Sequence, residues 1–196
     1  MLRFIYLAGG TYLVVCAAAI MARRMEGPVP RPEPHDGGSA PSGGGGAAWF
    51  ASIKPYCNAV EVETAQQHRP APSSADGPGY SAACYALAGK IDRARSVIEQ
   101  LGSSRERQYA AQIVFAVGHP VADAGDDRSA GPMMELVLDY DGGNYMALYH
   151  AGMSEYALGQ PDLAREHLQR FLELYGAEDG WRSNAREILG RLDRGS

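Results

Sequence analysis

The stretch Glu155–Leu168, EYALGQPDLAREHL, decides the fold. It reads as the end of one helix, a tight turn and the start of another. Pro161 falls in the first turn of the second helix, where a missing N–H leaves no intrahelical bond unmade. Apolar residues carry the pattern outward on both sides. Ala164, Leu168, Phe171, Leu172 and Tyr175 fall at i, i+4, i+7, i+8 and i+11, one stripe along the second helix. Leu148, Tyr149, Gly152 and Tyr156 form a matching stripe on the first. A glycine inside a helix costs up to ~1 kcal/mol relative to alanine. At Gly152 the expected compensation is a close approach by the helix that carries Ala164.

The same pattern occurs earlier in the chain. YSAACYALAGKIDRARSVIEQL, residues 80–101, aligns with YHAGMSEYALGQPDLAREHLQRFL, residues 149–172, when Gly89 is set on Gly159. Ala82 then meets Gly152, Ala94 meets Ala164, Ile98 meets Leu168 and Leu101 meets Phe171. The offset of 70 residues is twice a helical-hairpin period of about 34. It leaves room for one more unit, Arg105 to Tyr140. The C-terminal unit, from about Asn144 to Gly176, resembles a tetratricopeptide repeat. Gly152 stands at the small position of the first helix, Tyr156 near the aromatic one, and Ala157–Gly159 at the helix end. Ala164 and Leu168 fill the small and bulky positions of the second helix. Phe171 and Gly176 depart from the family, which prefers alanine and proline there.

The resemblance implies an all-α, short tetratricopeptide-like solenoid of about three hairpins, packed through Gly89, Ala94, Gly152, Gly159, Ala164 and Leu168. It also implies a protein or peptide partner. First helices of such units line the concave side, which places Met146, Tyr149, Met153 and Tyr156 along one groove wall. Met and Tyr suit an extended segment or a partner helix. Self-association through the same groove is the structural alternative.

Around this domain, residues 47–196, the chain changes character. Phe4–Ala22 contains no charge, and 19 residues at ~1.5 Å each reach ~28 Å as a helix, enough to span a hydrocarbon core. Arg23 and Arg24 follow at once and argue against cleavage, so residues 1–24 read as a single-pass anchor. Arg3 and the amino terminus against Arg23, Arg24 and Arg31 lean weakly toward a cytoplasmic domain. Residues 25–46 are proline- and glycine-rich and read as a disordered linker. Within the domain, Pro55 should end the first helical piece. Asn58 with Glu61, and Ser103 with Glu106, have capping-box spacing. Pro132 is expected in a first turn. The last helix, about Trp181 to Leu192, reads as a cap over the final repeat.

Charge and motif arithmetic narrow the function. Setting aside the three arginines of the first 24 residues leaves 15 basic and 23 acidic side chains, a net of −8. Such a domain repels phosphate backbones, so no nucleic-acid partner is expected. Cys57 and Cys84 have apolar neighbours and read as two buried free thiols in preference to one disulfide. Ser154 lacks a nucleophile-elbow setting, and the glycine run 43–46 lacks the lysine of a phosphate loop. His150 and His167 read as partly exposed helix residues. No catalytic residue, metal or cofactor is expected. The alternative is an enzyme or metal-dependent factor using Gly118–Gly131, GHPVADAGDDRSAG, read as a long acidic loop. Its His119, Asp123, Asp126 and Asp127 match neither EF-hand nor zinc spacing. A solvated loop capping the helix from Ser129 explains them as well.

Overall fold

The computed structural model describes residues 44–194. The expected anchor over 4–22, and the expected linker as far as residue 43, lie outside them. Among the described residues no helix is long and apolar enough to cross a membrane.

Nine α-helices pack together among the described residues: α1 Gly44–Ile53, α2 Val62–His68, α3 Gly77–Leu87, α4 Ile91–Glu99, α5 Ser104–Asp123, α6 Asp127–Leu138, α7 Tyr145–Ala157, α8 Pro161–Leu174 and α9 Gly180–Arg194. They form three antiparallel hairpins, α3–α4, α5–α6 and α7–α8, flanked by α1 and α2 before and α9 after. Helix α1 begins inside the stretch read as linker. Gly46 is buried there, and a Cβ on it would lie 2.6 Å from the Asp76 carboxyl carbon, so only glycine lets α1 settle on that loop. Pro55 ends α1 as expected, in a 3-10 turn over Lys54–Tyr56.

One turn closes all three hairpins. Gly89, Gly125 and Gly159 have φ of 71°, 82° and 75°, the left-handed region that glycine enters without steric cost. In each, the following residue's N–H bonds a carbonyl five residues back: Lys90 to Tyr85, Asp126 to Val121 and Gln160 to Glu155. The glycine N–H takes the carbonyl three back, on Ala86, Ala122 and Tyr156. These paired bonds satisfy carbonyls that a helix end otherwise leaves open.

The hairpins nest where small residues face each other. A Cβ on Gly152 would sit 2.7 Å from Leu168 Cγ and 3.3 Å from the Ala164 carbonyl oxygen, the close approach expected of that glycine. Ala82, Ala94, Ala164, Ile98 and Leu168 are all fully buried, so the aligned positions share one role. Ser103 and Glu106 form the expected capping box, and Asn144 caps α7 by accepting from the Ala147 N–H. At Asn58 the side chain accepts from the Val60 and Glu61 N–H groups and donates to the Glu61 carboxylate, which orders the turn before α2. The cap helix α9 buries Trp181, Asn184, Ala185 and Ile188 against the last hairpin.

Two expectations fail here. Cys57 and Cys84 form a disulfide, with Cα atoms 4.9 Å apart, not two free thiols. Apolar neighbours were an insufficient guide: the turn after α1 is laid against α3, and the two sulfurs meet inside that contact. Pro132 lies inside α6, not in its first turn, because Asp126 starts the helix six residues before it.

Candidate functional site

An open cleft of about 520 Å³ lies between α1, α3 and α5. Ala47 and Phe50 come from α1, Tyr80 and Leu87 from α3, and Ala116, Val117, Pro120 and Val121 from α5. Lys54 and Asp126 are its charged residues. Phe50 stacks on Tyr80 with ring centroids 5.2 Å apart and forms the apolar floor with it. Burial pushes the Tyr80 phenol up, so it stays a neutral donor and acceptor across the physiological range. A second cavity of about 670 Å³, between the 73–78 segment and the start of α5, is more polar, with Ser73, Ser74, Arg105, Glu106 and Gln108 among its walls.

The four residues of the expected groove wall fare differently. Met146, Met153 and Tyr156 are half-buried, whereas Tyr149 is only 2% exposed. The Tyr149 ring stands edge-on to Trp181 at 4.8 Å and to Phe171 at 5.2 Å, and its hydroxyl accepts from Asn184 at 2.5 Å. The same Asn184 amide reaches Met153 Sδ at 3.7 Å. Helix α9 therefore lies over this wall. Tyr149 is core beneath the cap and does not face an open groove.

The expected loop 118–131 is also different from its reading. It is helix as far as Asp123, a short turn through Ala124, Gly125 and Asp126, and helix again from Asp127. Asp126 caps α6 by accepting from the Ser129 N–H at 3.2 Å, as a capping role for this stretch requires. The signal was in the sequence: Ala122-Asp123-Ala124-Gly125 repeats Ala86-Leu87-Ala88-Gly89, and Gly125 falls 36 residues after Gly89 and 34 before Gly159. Pro120 obscured it, since a proline late in a helical pattern normally reads as a stop.

Straightening that stretch into α5 brings His119 and Asp123 onto one face, one turn apart. His150, read as partly exposed, is buried on α7 opposite them, 4% exposed. His119 Nε2 lies 3.8 Å from Asp123 Oδ2, and His150 Nε2 lies 3.7 Å from Asp123 Oδ1. Asp126 and Asp127 take no part. Burial pulls the His119 imidazole below its ordinary pKa against the opposing pull of Asp123, so it is neutral at pH 7.

A second buried polar pair joins α7 to α8. Glu155 is 2% exposed, and His167 Nδ1 lies 2.9 Å from both of its carboxylate oxygens. The hydrogen bond to Glu155 raises the His167 pKa and outweighs the opposing effect of burial. This pair is structural, a polar clasp inside the hairpin.

Among known families, a tetratricopeptide repeat model matches residues 146–176, the α7–α8 hairpin. No curated protein and no solved structure matches the chain.

Proposed function

We propose that the chain is a membrane-tethered protein-interaction module, with a partner segment seated in the apolar cleft between α1, α3 and α5. The observation that carries the reading is the tetratricopeptide repeat at residues 146–176, extended by two further hairpins closed by the same glycine turn. Repeats of this kind suggest a protein partner, and this cleft offers preformed apolar area with few charges to desolvate. A peptide that presents two or three apolar side chains and one flanking charge for Lys54 or Asp126 fits its chemistry. No catalytic step belongs to this reading.

The tether is the uncharged segment 4–22. The Cys57–Cys84 disulfide supports placing the domain in an oxidising compartment, against the lean of the arginine count, because cytosolic thiols are kept reduced. A membrane-impermeant protease applied to intact cells or spheroplasts tests the side.

The cleft is tested by photo-crosslinking from the full chain in its native membrane, comparing wild type with Val117→Arg and Val121→Asp. Loss of specific crosslinked species in both variants, with the helical spectrum unchanged, supports the cleft. An unchanged set of species rejects it. Met146→Arg and Met153→Arg form the comparison arm for the wall beneath α9.

A further inference from the structure

The geometry points to a divalent transition-metal site formed by His119, Asp123 and His150, which would tie the C-terminal end of α5 to the middle of α7. Two imidazole nitrogens and a carboxylate oxygen from these residues lie within 4.8 Å of one another. A tetrahedral ion with bonds of about 2.0–2.2 Å holds its ligand atoms about 3.4 Å apart. His119 Nε2 lies 3.8 Å from Asp123 Oδ2 and His150 Nε2 3.7 Å from Asp123 Oδ1, each a few tenths of an ångström from that spacing, and small side-chain rotations draw the set, now within 4.8 Å, around one ion. Both separations are too long for direct hydrogen bonds.

The chemistry of the donors fits an ion. His119 is 8% exposed, and its Nε2 is buried with no hydrogen-bond partner although it is aimed at the cluster. A neutral imidazole is the form that ligates. Aromatic neighbours pack against both rings. Phe115 stacks on His119 at 5.0 Å, while Tyr149 and Trp181 stand edge-on to His150 at 5.2 and 5.6 Å. Asp123, the partly exposed member, lies at the C-terminal end of a 20-residue helix, whose dipole adds negative potential where a cation would sit. Two histidines and one carboxylate suit zinc or a similar first-row ion and leave a coordination position for water from the Asp123 side.

The test uses the tag-free full chain in mild detergent, stripped with a chelator and titrated with Co²⁺ followed by Zn²⁺. Expected are a visible Co²⁺ absorption that saturates at one equivalent and is displaced by one equivalent of Zn²⁺. Zinc at about 100 times its dissociation constant should raise the melting temperature by ~5–10 °C. Asp123→Asn keeps shape and is partly exposed, so it should fold and bind at least ~100-fold more weakly, since loss of an outer partner alone costs ~10–100-fold. His119→Gln should behave alike, and the exposed His68→Gln should match wild type. Absence of stoichiometric uptake by the folded wild type overturns the site. So does uptake unchanged in folded Asp123→Asn, which places the ion elsewhere. Should His119→Gln fail to fold, Asp123→Asn alone decides.

Discussion

Replacing Gly152 with alanine separates two opposing effects at the tightest point of the α7–α8 hairpin. Helix propensity favours the change by up to ~1 kcal/mol. Packing opposes it. The new Cβ would lie 2.7 Å from Leu168 Cγ, 2.9 Å from Leu168 Cδ2 and 3.3 Å from the Ala164 carbonyl oxygen. Carbon atoms in contact rest at ~3.5–4.0 Å, so Leu168 would have to retreat by ~0.8 Å or more. Leu168 is fully buried, so its retreat pushes the two helices apart. Overpacking of this kind costs ~1–3 kcal/mol, and the backbone oxygen puts this case at the upper end. A net loss of ~1–2 kcal/mol follows, or ~2–8 °C in melting temperature for a domain of this size. Denaturant unfolding followed by circular dichroism measures it. The decisive arm is the double variant. Leu168→Ala alone should cost ~2–5 kcal/mol through its cavity. Adding Gly152→Ala to that background should be neutral or stabilising, because the methyl fills emptied space. Arg165→Ala, which removes ion pairs to the exposed Asp162 and Asp193, should change stability by less than ~1 kcal/mol. A Gly152→Ala protein more stable than wild type would refute the close-approach reasoning, as would simple additivity in the double variant.

Three further outcomes follow from the fold. Replacing both Cys57 and Cys84 with alanine should cost ~3–4 kcal/mol, since the bond closes a loop across a sequence separation of 27, and the loss should show as a lower unfolding midpoint. Gly125→Ala should cost ~1 kcal/mol because its φ of 82° suits no side chain, and an unchanged melting temperature would mean that the α5–α6 turn is built differently. His167 has its pKa raised above the unfolded value near 6.5, so the stability it adds through Glu155 is complete below that pH and is lost as pH rises through the folded value. Unfolding free energy should therefore fall as pH rises above about 6.5 in wild type, and that slope should vanish in His167→Gln.

The last hairpin was legible because its stripe, its turn glycine and its small residues all spoke for the same packing. The first was legible through its register with the last. The middle one was placed by position alone, at Arg105 to Tyr140, and its turn was obscured by two prolines, Pro120 and Pro132, which local rules treat as helix boundaries and which the structure carries inside α5 and α6. Only the 36- and 34-residue spacing of the three turn glycines overrides that local signal. The His119–Asp123–His150 cluster was half visible. His119 and Asp123 were seen together but placed in a loop, and His150 comes from 27 residues beyond Asp123, where only the packing of α5 on α7 brings it near. Of the expected groove wall, Tyr149 proves to be core for a related reason. The apolar stripe of α7 was identified correctly as buried or bound, but the sequence does not say which, and α9 claims it. The disulfide is likewise a tertiary fact, since nothing local to Cys57 or Cys84 declares that α1 leads back across α3.

That covalent link also sets how the domain meets mechanical tension. A pull applied from the N-terminal side travels through α1 to Cys57 and crosses the sulfur bridge to Cys84, near the end of α3. Residues 58–83, with α2 and most of α3, hang off that route as an unstretched side loop. Force thus reaches the first hairpin turn without having to unravel residues 58–83, and the length that peeling the N-terminal flank can release is confined to α1 and the turn after it.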